Sequence, residues 1–195
     1  MRDGEALSLM GVAASLPDSI SPLQIGTTGR HESRPFELIG CVRWQWSDAG
    51  LVMGGWTEWL ALFADGSHGW LAEAMARYML TRRIEPLPGD PVVAAVAAGD
   101  AVVPGEEVML AGRRYTVTDA RAATAVGSAG ELPFAAPKGE TLFGVDLVDS
   151  AGGCASIQRH EGVTTAYAGR AVTLAGLELR GLRAIEGWTA PAWAL

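Results

Sequence analysis

Trp56-Thr-Glu58-Trp59 sets one carboxylate between two indoles. In an extended strand, alternation puts Trp56 and Glu58 on one face and Trp59 on the other. A carboxylate beside an aromatic wall can hold an organic cation or a sugar-like ligand. The same residues also make a core, in which the indoles pack and Glu58 accepts hydrogen bonds from a turn backbone or an arginine. Buried tryptophan mostly packs, so the core is the more economical reading. The motif leads to a turn at Asp65-Gly66 and then to Trp70-Leu-Ala-Glu73. Trp56, Glu58, Trp59, Asp65 and Trp70 are therefore the candidate ligand- or partner-binding residues.

No motif makes the chain an enzyme. Asp65-Gly-Ser-His68 holds the residue types of a hydrolytic triad, but four neighbours on one turn do not converge from separate segments as a triad does. An Asx-type turn with an exposed His68 fits better. Gly127-Ser-Ala-Gly130 lacks the first glycine of a nucleophile elbow, since position 126 is Val. Gly26-Thr-Thr-Gly29-Arg30 lacks the lysine and spacing of a phosphate-binding loop. His31, His68 and His160 show no metal-ligand spacing, and Cys41 and Cys154 form no C-x-x-C pair. We therefore expect no catalytic residue, no metal and no cofactor, and two reduced, mostly buried thiols. One further arrangement is open: Glu131, Asp146 and Asp149 could gather with Glu58 and Asp65 if two parts of the chain face each other.

The 195 residues are 49% hydrophobic and 19% charged, which suffices for a sizeable core. A formal net charge of −7 argues against nucleic acid, where Lys and Arg must neutralise phosphates. It argues equally against an anionic membrane surface. The N-terminus is interrupted by acidic residues and reads as no signal peptide, and no run approaches the length of a membrane span. The expectation is a cytoplasmic protein without direct membrane insertion.

These residues must be positioned by short apolar runs between glycines. Residues 1–22 are a lead-in, 23–84 a first β-unit, 85–104 a connector, 105–186 a second β-unit and 187–195 a tail. Phe36 to Trp46 is strand-like, Ser47-Asp-Ala-Gly50 and Gly54-Gly55 are turn signals, and Trp59 to Phe63 is the next strand. Trp70 to Leu80 has helix-favouring Ala, Met and Leu in a strand context, suggesting a strand running into a short helix. Pro86, Pro88, Pro91 and Pro104 with Gly89 and Gly99 mark the connector, in which Val92 to Ala98 reads as a short helix or a buried strand. Tyr167 to Arg180 alternates like a hairpin.

The two units resemble each other. Gly26 stands ten residues before Phe36, and Gly105 ten before Tyr115. Each unit later carries an apolar strand ending at an Asp and a glycine turn, Asp65-Gly66 and Asp149 to Gly152. The second unit keeps the turn without the tryptophans. We read two diverged copies of one β-unit. The expected fold is mainly β with little helix: two related antiparallel units packed as a sandwich or a pair of small rolls.

Ser21-Pro-Leu-Gln-Ile-Gly-Thr-Thr-Gly29, Phe36-Glu-Leu-Ile-Gly40, Trp56-Thr-Glu-Trp59 and Asp65-Gly-Ser-His-Gly-Trp-Leu-Ala-Glu73 together resemble the bacterial domain-of-unknown-function family numbered 4178. Gly130-Glu-Leu-Pro-Phe134 and Tyr167-Ala-Gly-Arg170 extend the resemblance over about residues 21–183. This chain lacks the cysteine-rich N-terminal module that some members carry. The resemblance implies no activity and no catalytic residues. Through the gene neighbourhoods of its members it implies a protein partner, with a phage-shock-protein-A-like membrane-stress protein as a candidate. The expected function is a non-enzymatic binding or assembly module in such a system. The alternative is a small-molecule-binding protein or enzyme with its site near Trp56, Glu58 and Trp59. The oligomeric state is open.

Overall fold

The computed structural model describes residues 21–86 and 89–185. Most of the lead-in and the whole tail, with Trp188 and Trp193, lie outside the described residues. Ten strands follow in order: β1 (Thr28–His31), β2 (Arg34–Asp48), β3 (Leu51–Phe63), β4 (His68–Ala74), β5 (Arg77–Ile84), β6 (Glu107–Leu110), β7 (Arg113–Gly130), β8 (Thr141–Val148), β9 (Gly153–His160) and β10 (Val163–Val172). One helix, α1 (Pro91–Ala98), separates β5 from β6, and a short 3-10 turn (Ala175–Leu177) follows β10.

The sheet runs β1-β2-β3-β4-β5-β10-β9-β8-β7-β6, and β2 also pairs with β7. That last pairing closes eight strands into an antiparallel barrel and leaves β1 and β6 as short flanking strands. The chain is mainly β as expected, but it forms neither a sandwich nor a pair of rolls. Each half alone would bare the edges of its second and fifth strands. Instead β2 pairs through Gly40–Gln45 with β7, and β5 through Tyr78–Ile84 with β10. Unpaired edge amides are thus satisfied by the other half. Both seams need glycine for a close approach. A Cβ at Gly40 would run into the carbonyl of Glu131, and one at Gly169 into that of Leu80.

Three local expectations are corrected. Trp70 to Leu80 is not a strand entering a helix but the β4–β5 hairpin, turned at Met75-Ala76 with φ of 46° and 57°. Pairing on both sides outweighs the helix propensity of Ala, Met and Leu. Gly54-Gly55 is no turn but part of β3, where a Cβ at Gly54 would meet the Trp46 indole. The segment after Tyr167 is no hairpin. β10 ends at Val172, and the chain then returns to the other sheet edge, where Arg180 bridges Thr28.

The helix in the connector owes its start to Asp90, whose Oδ1 accepts from the amides of Val92 and Val93 ahead of Pro91 at the first turn. Its Oδ2 accepts from Met109, so one side chain caps α1 and also satisfies an amide of the flanking strand β6.

The halves before and after α1 share details. Each opens with a four-residue strand and a tight turn. Gly26 donates to Leu38 and Leu38 to Thr27; Gly105 donates to Val117 and Val117 to Glu106 in the same pattern. A one-residue irregularity falls between Leu38 and Gly40 and again between Val117 and Asp119. They differ in the connection between their two long strands. The β2–β3 turn is Ala49-Gly50 alone, whereas β7 and β8 are joined by residues 131–140.

Side chains on opposite faces of the ring build separate cores. The inner face gathers Val42, Trp44, Leu60, Trp70, Ala123, Ala125, Leu142 and Tyr167 from strands all around the barrel. Outside, one cluster packs Phe36, Trp59, Leu71 and Leu80 under Leu23, Leu174 and Leu177. A second packs Tyr115, Val145 and Ile157 under Val92, Val93 and Val96 of α1.

Candidate functional site

Alternation along β3 sends Glu58 into the barrel, where it is 8% exposed. Trp44 donates its Nε1–H to Glu58 Oε2 at 3.0 Å, and Trp56 to Oε1 at 3.2 Å. Trp44 and Trp56 are cross-strand partners on β2 and β3. Gln158 reaches Oε1 at 3.4 Å from β9, on the opposite wall. The Glu58 carboxyl is raised above the ordinary range, first by burial. The Trp56 and Trp44 hydrogen bonds pull the other way, and the charge of Asp146 adds to the rise.

Asp146 on β8 shares this interior yet keeps access to solvent. Partial burial raises its pKa, the charge of Asp119 raises it further, and Arg121 opposes both. Asp119 is the cross-strand partner of Asp146 and is ion-paired with Arg121. The Arg121 guanidinium lies 4.1 Å from the ring centre of Trp46. Glu58 at the floor, with Trp46, Trp56, Asp119, Arg121 and Asp146 above it, therefore forms one end of the barrel interior. We call it the upper mouth.

The lower mouth is closed. Residues 131–140 fold inward there and seat Leu132 and Ala136 in the inner core. Ser128 fixes the fold by donating to the Ala136 carbonyl at 2.8 Å. Phe134 stacks at a tilt on Trp70, with ring centres 5.8 Å apart, and on His160 at 4.9 Å.

The expected site residues thus separate. Trp56 and Glu58 meet. Trp59 faces outward and donates to Glu73 Oε2 at 3.1 Å, an acceptor shared with Ser21, while Tyr78 donates to Oε1 of the same carboxylate at 3.3 Å. Trp70 packs at the lower mouth. Asp65 lies in an exposed Asx turn, accepting from the Ser67 amide at 2.9 Å; Ser67 holds its carboxyl below the usual range. His68 beside it is half-buried. Of the acids that could gather, only Asp146 joins Glu58. Asp149 caps its own turn through Ala151 and Gly153 and pairs with Arg113 at 3.1 Å, and Glu131 starts the loop at the lower mouth. Among the described residues no group of three His, Cys, Asp or Glu could hold a metal ion.

Trp44, Gln158, Asp119 and Arg121 escaped the sequence reading. Trp44 was not readable as the partner of Trp56, because the turn at Ala49-Gly50 alone would set Trp44 opposite Gly55 and a bulge between Trp46 and Ser47 shifts the register by one. Gln158 carried no signal, because its contact with Glu58 spans the barrel. Two surface clefts, of about 510 Å³ beside Phe36 and Arg180 and about 380 Å³ beside Phe143 and Arg159, include none of the expected site residues. Cys41 and Cys154 are buried thiols, each pushed up to about 11 by burial.

Residues 24–174 match the model of DUF4178, a domain of unknown function, and the chain belongs to that family. No curated protein and no solved structure matches the chain.

Proposed function

We propose that this DUF4178 chain is a non-enzymatic binding module that engages a protein partner through the β2–β3 hairpin and the upper mouth beside it. The observation that carries the reading is the hairpin tip, where Leu51, Val52 and Met53 are 69%, 62% and 55% exposed. Three consecutive apolar residues put apolar surface on both faces of the ribbon. Contiguous exposed apolar surface of this kind marks interaction sites. The tip also extends past its neighbours, since β3 pairs with β4 only from Thr57 onward and β2 with β7 only as far as Gln45.

The saturation of Glu58 supports binding over catalysis, because all three donors would have to yield before it could serve a substrate. The net charge of −7 favours a protein over nucleic acid. The family resemblance supports a membrane-stress partner of the phage-shock-protein-A type, in the cytoplasm and without membrane insertion. Among the described residues no helix is long and apolar enough to cross a membrane. The matched bulges and turns support an origin of the two halves by internal duplication.

A photo-cross-linking residue at Val52, compared in native cells with one at the exposed Val163, which opens β10 beside the β9–β10 turn, tests the reading. One discrete protein adduct from position 52 and none from 163 is expected. The absence of any adduct, together with turnover of a metabolite by the purified chain, would overturn it. The alternative, a small-molecule site at Trp56 and Glu58, draws its support from the raised Glu58 carboxyl between two indoles. It requires a thermal shift with amines, sugars, nucleotides or metals that Glu58→Gln abolishes.

A further inference from the structure

We infer that the upper mouth receives an apolar-tipped loop carrying a basic residue, contributed by the protein partner. The inference rests on the binding reading above and names the chemistry of the occupant.

The lower mouth shows what the barrel accepts. There the chain's own residues 131–140 insert Leu132, Phe134 and Ala136 against Trp70 and Leu142. In the other half the corresponding connection is the turn Ala49-Gly50, which is too short to fold inward, and its strands run on as a two-stranded ribbon whose register shifts once, between Trp46 and Ser47. Among the described residues the upper mouth accordingly holds no inserted loop. Its indoles Trp46 and Trp56 stay half-buried and Asp146 stays exposed. An apolar loop tip from outside would cover those indoles together with the exposed apolar end of the hairpin, Leu51 to Met53.

Charge complementarity selects a basic residue on that loop. On the β7–β8 wall, Asp119 and Asp146 face each other, with Glu58 beneath them. The cation of this wall, Arg121, is already ion-paired with Asp119 and laid over Trp46. Asp146 accepts no side-chain hydrogen bond or ion pair from the described residues, and burial and then the charge of Asp119 disfavour its ionised form. Arg77, exposed at the β4–β5 turn, belongs to the far side of the rim, where it has interactions of its own. An incoming ammonium or guanidinium would relieve the crowding of carboxylates at Asp146. A second copy of this chain suits the site poorly, since two bodies of charge −7 repel.

A displayed library of nine-residue, disulfide-closed random loops, selected on the whole chain, tests the inference. Recovered loops are rebound to Asp146→Lys, to Asp146→Asn and to Leu51→Ser/Met53→Ser, each first shown to melt cooperatively. Loops pairing Phe, Leu or Met with Lys or Arg are expected. Their affinity should fall at least tenfold on Asp146→Lys and on the hairpin variant, and less on Asp146→Asn. Loops without a basic residue, lost on the hairpin variant but indifferent to Asp146→Lys, would overturn the inference and leave the binding reading standing. Failure to recover any loop that depends on the hairpin or on Asp146 would overturn both.

Discussion

Glu58 and Gln158 meet inside the barrel at 3.4 Å, although a hundred residues separate them and their strands stand on opposite walls. With Trp44 and Trp56, Gln158 makes Glu58 the shared acceptor of three donors. Glu58→Ala would leave two indole N–H groups and an amide unpaired in the interior. Such orphaned groups cost about 1–3 kcal/mol each, so a loss of about 3–5 kcal/mol is expected. Glu58→Gln keeps one acceptor and should cost about 1–2 kcal/mol. Urea unfolding of the two variants measures both.

The same carboxyl gives stability a pH dependence of definite sign. Its folded pKa lies above its unfolded one, so the folded state binds more protons between the two values. Stability contributed by Glu58 is therefore full below the ordinary glutamate range and falls as pH rises through the raised value. Asp146 acts in the same direction. Asp65 and Asp149, both held low, act oppositely: their contribution is lost as pH falls through their lowered values. The melting temperature of the native chain minus that of Glu58→Gln, followed from pH 4 to pH 8, should decline with rising pH. A flat difference would mean that Glu58 titrates alike in both states.

The seams should be intolerant of side chains. Gly169→Ala sets a methyl against the Leu80 carbonyl, and Gly40→Ala one against that of Glu131. Each should destabilise by about 1–3 kcal/mol or more, through strand separation. Gly144→Ala is the control, since nothing lies within 4 Å of its added methyl and its φ is ordinary. It should be neutral or stabilise by about 0.4–1 kcal/mol. Calorimetric melting of the three variants decides.

Cys41 and Cys154 should be inert in the native chain. Burial raises both thiols to about 11, so the thiolate is scarce near pH 8, and access is closed as well. An aromatic disulfide reagent should label neither cysteine in buffer and both in guanidinium chloride.

Much of this fold is written in local signals. Phe36 and Tyr115, each ten residues after a glycine, stand beside the same pattern of hydrogen bonds, Gly26 to Leu38 and Gly105 to Val117. The alternation of Trp56, Glu58 and Trp59 gave their faces correctly. Ring closure was not legible, because Gly40 and Gly169 look like any strand glycine until their partners are known. The hairpin at Met75-Ala76 was hidden for a different reason: neither residue favours positive φ, and the strand pairing on either side imposes it. The candidate site was half legible. Trp56 and Glu58 stand close in sequence, whereas Gln158, Asp119 and Arg121 arrive through pairings that only the closed ring creates.

Those two seams also bear on how the protein is made. A ribosome delivers β1 to β5 before any residue of β7 or β10 exists. For that interval the nascent first half presents two bare strand edges, those of β2 and β5, beside the exposed apolar tip Leu51, Val52 and Met53 of the β2–β3 hairpin. None of the described strands of that half pairs with them, and unpaired apolar edges recruit other chains. Synthesis therefore passes through a vulnerable stage that ends only when β10 docks, and chaperone capacity during translation should limit the yield of this protein more than its final stability does.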